Sequence, residues 1–211
     1  MRITVFGAAG AAGSRIVTEA VARGHEVTAV VRSPERYPDL HPGARHRSGD
    51  ALDPDRIAEL TEGQDVVIGA TRPVPGREEE HAAVTRALLA GLAKSGARLL
   101  LLGGAGSLLL PGGGLTVIDG PDFPPSWRPI ALACNEQLAA CLADDTVDWA
   151  YLSPAAVLEP GERTGSYRLG TDELVVDAEG NSAISMEDVA VALLDEAERP
   201  RHHRTRFTVG Y

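Results

Sequence analysis

Gly7, Gly10 and Gly13 recur at every third position of the turn Gly7-Ala8-Ala9-Gly10-Ala11-Ala12-Gly13, between the apolar run Ile3-Thr4-Val5-Phe6 and a helical run from Ser14 to Arg23. Such residues carry no reactive side chains, so their chemistry is that of the backbone. A glycine turn that opens a helix gathers unpaired N–H groups at one spot, where the helix dipole favours an anion such as a pyrophosphate. Gly7 permits the tight turn, Gly10 lets the backbone approach phosphate with no Cβ in the way, and Gly13 allows helix and strand to pack closely. Gly7, Ala9, Gly10, Ala11, Ala12 and Gly13 are therefore the expected contacts of a dinucleotide cofactor. The spacing is Gly-x-x-Gly-x-x-Gly and not the more familiar Gly-x-Gly-x-x-Gly. What favours a cofactor over an ordinary strand-ending turn is the setting, with a strand before, a helix after and a second strand, Glu26 to Val31, one helix-length on.

The end of that second strand is the next informative place. An acidic residue there accepts a ribose 2′-hydroxyl, whereas an arginine accommodates a 2′-phosphate. Arg32 stands at this position with Ser33 beside it, which predicts NADP (NADPH) in preference to NAD, the competing reading being a solvated loop charge. Asp50 and Ala51 fall where the adenine end would lie, although Asp50 also reads as an ordinary turn aspartate. Because ligands of open α/β sheets bind at the carboxyl ends of strands, Gly69, Ala70 and Thr71 after a fourth strand, Gly104 after a fifth, and Pro154 and Ala155 after a sixth complete the expected cofactor contacts.

Proton chemistry is harder to place. The Tyr-x-x-x-Lys pair of ordinary short-chain dehydrogenases is missing: Lys94 is the only lysine, and none of the tyrosines at 37, 151, 167 and 211 precedes a lysine by four places. Neither a Gly-x-Ser-x-Gly elbow nor a metal-ligand spacing is present. Ser107 is the expected catalytic group, orienting the acceptor, unless it only caps the strand end. Phe123 and Trp127, in the Gly/Pro-rich stretch from Leu108 to Trp127, are candidate substrate contacts by stacking, or else anchors that hold the loop to the core.

The elements that must position these residues alternate strand and helix along the chain, which predicts an α/β fold with a doubly wound parallel Rossmann sheet, helices on both faces and a small C-terminal substrate-side cap. Residues 1–211 read as a single domain, with about 156–184 forming the cap. Strands are expected at 26–31, 44–48, 65–71, 98–102, 148–152, 173–177 and 206–210, and helices at 77–95, 128–142 and 186–198, with a further helix starting at the N-cap Asp53 and Pro54. Glu78-Glu79-Glu80 is assigned to a first helical turn, His81 to the surface, the run Arg201 to Arg204 to solvent, and Cys134 and Cys141 to the core as free thiols. With 20 basic and 30 acidic side chains the net charge is −10, which disfavours nucleic acid and anionic membranes as partners, so a bound anion needs local cations. The absence of a secretory pattern predicts a cytoplasmic location; the oligomeric state is left open.

The glycine turn, Val30-Val31-Arg32, Cys134-Asn135-Glu136-Gln137-Leu138, Asp148-Trp149 with Ser153-Pro154-Ala155, Pro160-Gly161-Glu162-Arg163-Thr164-Gly165 with Tyr167-Arg168-Leu169-Gly170, and Ile184-Ser185-Met186-Glu187-Asp188-Val189-Ala190 together resemble the atypical short-chain dehydrogenases of the NADH-flavin reductase group, near the NmrA-like and biliverdin reductase B-like proteins. The resemblance spans nearly the whole chain. It implies a Rossmann domain with NAD(P) at the glycine turn and reduction of flavins, quinones or related planar acceptors, in relatives that also lack the Tyr/Lys pair. The expectation is thus an NAD(P)H-dependent reductase, NADPH preferred, acting on a small planar acceptor. A nucleotide-binding sensor of NmrA-like type, without turnover, is the alternative.

Overall fold

The computed structural model describes residues 1–211. Its strands are β1 (Arg2–Phe6), β2 (Glu26–Val31), β3 (Arg45–Ser48), β4 (Val66–Gly69), β5 (Arg98–Leu102), β6 (Trp149–Pro154), β7 (Val157–Glu159), β8 (Arg168–Gly170), β9 (Ala183–Ser185) and β10 (Thr205–Gly210). Between them lie α1 (Ala11–Ala22), α2 (Pro54–Thr61), α3 (Glu80–Ser95), α4 (Arg128–Leu142) and α5 (Met186–Glu198). Strands β1, β4, β5 and β6 are apolar almost throughout because both faces of the sheet are covered. On one face α1 and α5 bury Ile16, Val17, Val189 and Leu193 against Ile3, Val5 and Leu152. On the other, α2, α3 and α4 pack Ile57, Leu88, Leu92 and Leu138 against Phe6, Val67, Trp149 and Tyr151.

The main sheet runs β3-β2-β1-β4-β5-β6-β10-β8, parallel except for β8, which pairs antiparallel with β10. From β1 the chain winds outward through β2 to β3, returns to β4, and winds outward the other way. The carboxyl ends of β1 and β4 therefore border a crevice, the place where such sheets bind ligands. Two helix starts follow their sequence signals closely: Asp53 accepts from the N–H groups of Asp55 and Arg56 ahead of Pro54, and the Ser185 hydroxyl accepts from Asp188 N, each the ordinary N-cap arrangement.

Several expectations change. Helix α3 begins at Glu80, after a turn in which Glu78 accepts from Gly76 N, so only Glu80 of the acidic run lies in the first turn. His81 is buried, because that turn of α3 packs against α4 near Gln137, and burial lowers its pKa to about 4. Residues 173–177 form no strand, only a bridge between Glu173 and Leu109. The cap is correspondingly divided: β7 and β9 make a separate parallel pair, while β8 adds to the edge of the main sheet. The run from Arg201 to Arg204 is not wholly solvated either. His202 stacks on Phe207 at 4.4 Å between ring centroids and bonds to Glu196, which also pairs with buried Arg98 at 2.7 Å.

The Gly161-to-Tyr167 segment forms a strap over α1 and α5. Arg163 pairs through two N–H groups with Glu19 (2.7 and 2.8 Å), a carboxylate 6 % exposed whose pKa this pairing lowers to about 2. Thr164 and Gly165 N donate to Asp188, and the Tyr167 hydroxyl donates to Asp195. No helix is long and apolar enough to cross a membrane.

Candidate nucleotide and acceptor site

The three glycines of the first turn are required for different reasons. Gly7 has φ +80°, and a Cβ there would lie 2.5 Å from the Ala70 carbonyl oxygen; at Gly13 a Cβ would lie 2.1 Å from the Gly7 carbonyl oxygen. Both are demanded by backbone packing, of β1 on the end of β4 and of α1 on the turn. Gly10 is different. Its backbone (φ −73°, ψ 164°) suits any residue, and a Cβ would meet only the Gly7 oxygen at 3.2 Å and the Ala70 oxygen at 3.9 Å, with open space beyond.

Gly10 is also the N-cap of α1, which has neither a side-chain cap nor an acid in its first turn. The N–H groups of Ala11, Ala12 and Gly13 consequently have no partner within the helix, and the positive end of the helix dipole is uncompensated. A phosphate would fill the space left by the missing side chain and accept from these groups. The residues present therefore fit a dinucleotide at the β1–β4 crevice. Ala9 is half-buried beside the turn and packs on the core under α1.

At the end of β2, Arg32 is exposed and its guanidinium makes no ion pair, while its carbonyl accepts from Ser48 Oγ at 2.9 Å. Arg36, Arg45 and Arg47 lie on the same side of the sheet, and Glu26, 3.8 Å from Arg45, is the only carboxylate that pairs with any of the four. Glu35, Asp39 and Asp50 lie along the same edge and with Glu26 balance these arginines in number, so what Arg32 offers is an unpaired guanidinium and not a positive field. Asp50 Oδ1 accepts from Leu52 N at 3.0 Å, closing an Asx turn, and Ala51 packs against the core beside Phe6.

Past β4, Ala70 N donates to the Phe6 carbonyl at 3.0 Å, and Thr71 lies beside Gly7. Gly69 points elsewhere. A Cβ on it would lie 2.6 Å from Leu101 Cδ2, so its missing side chain makes room for the core under α3, and only Ala70 and Thr71 reach the crevice. Pro154 and Ala155 are likewise buried, Pro154 in register with Val209 and Ala155 in the core under α1 and α5, so they offer no side chain to a ligand.

Beyond β5 the structure shows groups that local pattern does not reveal. A Cβ on Gly103 would lie within 2 Å of the Tyr151 ring, and one on Gly104 would lie 2.9 Å from Cys134 Cβ. The turn thus lies directly on Tyr151, whose hydroxyl bonds with the Cys134 carbonyl (2.9 Å) and Gln137 Oε1 (3.0 Å). Complete burial pushes its pKa well above the usual value, so Tyr151 is a structural pin and not a proton donor. Gly106 packs on Ala131 and Asn135 of α4, one helical turn apart. Asn135 Oδ1 is buried there with no partner.

Ser107 Oγ accepts from Arg206 Nη1 at 2.8 Å, and Asp172 holds the same guanidinium. The contact draws Ser107 toward β10, away from the β1–β4 junction, but its hydroxyl proton has no acceptor in the chain. Phe123 is half-buried near Leu108, Val117 and Leu174, which fixes the base of the 108–127 loop and identifies it as an anchor. Trp127, 50 % exposed at the start of α4, is not used in this way. The loop is less irregular than its composition suggests, with turns of 3₁₀-helix at Val117–Asp119 and Pro125–Trp127, and Ile118 N donating to Gly106 O at 3.0 Å. No three His, Cys, Asp or Glu side chains are placed to hold a metal ion.

Comparison with known proteins agrees with this geometry. Residues 7–200 match the family described as NAD(P)H-binding. The uncharacterized protein YwnB of Bacillus subtilis (strain 168) is 40% identical over 212 residues, spanning 99% of this chain and 98% of YwnB. The crystal structure of an epimerase candidate from Bacteroides thetaiotaomicron aligns with TM-score 0.90 at 40% identity, covering 100% of this chain and 96% of that one. A candidate NADH-flavin reductase from Streptococcus pneumoniae TIGR4 aligns with TM-score 0.89 at 34% identity, covering 100% and 99%.

Proposed function

Since this chain belongs to the NAD(P)H-binding family, we propose that it is an NADPH-dependent reductase that passes a hydride to a flavin, quinone or similar planar acceptor. The observation that carries this reading is the open, uncapped start of α1 behind Gly10, flanked on the β2 side by unpaired Arg32. When bound, the reduced nicotinamide supplies the hydride. The chain's own residues do the rest. The N–H groups of Ala11, Ala12 and Gly13 hold the pyrophosphate, and Arg32 with Ser33 takes the 2′-phosphate through charge-assisted hydrogen bonds. Thr71 and Gly104 border the other half of the crevice.

Two polar groups on the β5–α4 side retain unused hydrogen-bonding capacity, the Asn135 amide and the Ser107 hydroxyl proton, and both are assigned to the acceptor. A conjugated acceptor delocalises incoming electrons, so orientation and hydrogen bonds to the developing charge suffice where a Tyr/Lys acid is missing. Trp127 and the loop from Leu108 to Trp127 exclude water over the acceptor. The reading is tested by following NADPH oxidation at 340 nm with a panel of flavins, quinones and small carbonyls, beside calorimetry with NADPH and NADH. Turnover with a flavin or quinone, and tighter NADPH binding, are expected. Tight NADPH binding without oxidation by any member of the panel would replace the reductase with a nucleotide sensor.

A further inference from the structure

Arg72 follows Thr71 at the end of β4. It is exposed, and its guanidinium makes neither an ion pair nor a hydrogen bond. Of the acids that follow it in the chain, Glu78 accepts from Gly76 N and Glu80 pairs with Arg77, while exposed Glu79 pairs with no cation. An unpaired arginine in a chain of net charge −10 attracts an anion only locally, since the long-range field of the protein repels it.

Its position distinguishes it from Arg32. The strand order places β2 on one side of β1 and β4 on the other, so Arg32 and Arg72 stand on opposite sides of the glycine turn. The start of α1 serves the pyrophosphate between them, and Arg32 serves the adenosine side. Arg72 stands toward β5 and α4. Its charge acts on the Cys134 thiol, opposing the burial that raises that group to about 11, and Cys134 packs against Gly104 on the acceptor side of the crevice.

We propose that Arg72 is a specificity residue for the acceptor, selecting planar acceptors that carry an anionic tail, phosphate or carboxylate, which its planar guanidinium fork pairs bidentately. The inference rests on the reductase reading and narrows its substrate class. The ring occupies the space bordered by Gly104, Asn135 and Trp127, and the tail lies toward the end of β4. No group of the chain has to move to expose the guanidinium.

The test compares FMN with riboflavin, which share a ring and differ by one phosphate, and a carboxylated naphthoquinone with menadione. Unmodified protein and Arg72→Gln are each assayed with NADPH, and FMN and riboflavin binding is measured by fluorescence quenching in the NADP⁺-saturated protein. The expected result is at least a 10-fold higher kcat/KM and tighter binding for FMN, with Arg72→Gln lowering FMN to the riboflavin value and leaving riboflavin and menadione unchanged. A matching loss for the carboxylated quinone alone assigns the tail to carboxylate. A preference for FMN or for the carboxylated quinone that survives in Arg72→Gln, the absence of any preference for the anionic member of both pairs in the unmodified protein, or a weakened NADPH affinity in the variant would each overturn the proposal, the last by placing Arg72 on the cofactor. Turnover of riboflavin or menadione with no effect of Arg72 leaves the reductase standing without this inference, whereas NADPH oxidation by no acceptor removes the reductase itself.

Discussion

Replacing Gly10 with Val should separate folding from cofactor binding. The Gly10 backbone already lies in a region open to every L-residue, and the new Cβ would meet a single close atom, the Gly7 oxygen at 3.2 Å. Adjustment of a few tenths of an ångström and the poorer N-cap together should cost about 1 kcal/mol of stability. The valine methyls, in contrast, would project into the space through which a phosphate reaches the N–H groups of Ala11 and Ala12. Loss of two hydrogen bonds to a charged group, at about 1.5–3 kcal/mol each, amounts to about 3–6 kcal/mol and weakens NADPH binding by about 100- to 10,000-fold. Calorimetry gives the affinity, and circular dichroism with thermal unfolding verifies the fold. Gly13→Ala supplies the contrast: its Cβ would lie 2.1 Å from the Gly7 oxygen, so it should lose stability first, by about 2 kcal/mol or more as α1 is forced off the turn. A folded Gly10→Val protein with near-normal NADPH affinity would show that the phosphate does not bind at α1.

Arg32→Ala should reduce the preference for NADPH over NADH by about 10- to 100-fold, from one lost charge-assisted contact; equal affinities in the unmodified protein would refute that role. Asn135→Leu and Ser107→Ala should each lower kcat/KM for the acceptor by about 10- to 100-fold with NADPH affinity preserved, as for one hydrogen bond that strengthens in the transition state. Unchanged acceptor kinetics in both would remove these groups from the site. His81 should make stability depend on pH. Its pKa is about 4 in the fold and about 6.5 when unfolded, so between these values the unfolded chain binds the proton and the folded one does not. Stability therefore falls as pH falls through this window, by about 2 kcal/mol between pH 6.5 and 5. Urea unfolding should show this decline in the native protein and its absence in His81→Gln; the Glu19 carboxylate, lowered from 4.5 to about 2, keeps its stabilisation through this window and loses it only as pH falls further.

The order of strands and helices was readable because each strand is bounded by its own turn and each amphipathic helix has a local start signal, as at Asp53-Pro54 and Ser185. The glycine turn was readable for the same reason, since its function is local backbone geometry. Contacts between distant segments were not readable. Nothing around Ser107 announces Arg206, 99 residues away, and nothing around Tyr151 announces that Gly103 and Gly104 will lie on its ring. His81 sits beside a run of glutamates that indicates solvent, and only the packing of α3 on α4 buries it. Gly69 ends a strand like its neighbours but faces the core, because side chains alternate along β4 and the local count does not say which face is which.

The strap from Gly161 to Tyr167 bears on how firmly the cofactor helix is held. Lifting it would take Arg163 from Glu19, leaving Arg23, and the donors of Thr164 and Gly165 from Asp188, leaving the Tyr211 hydroxyl, and each hydrogen bond lost to a charged group costs about 1.5–3 kcal/mol. Pro111 to Leu115, in contrast, is an exposed stretch with three glycines and no charge to desert. The strap thus ties the cofactor helix α1 to α5 through charged hydrogen bonds, while the tip of that loop has no such tie.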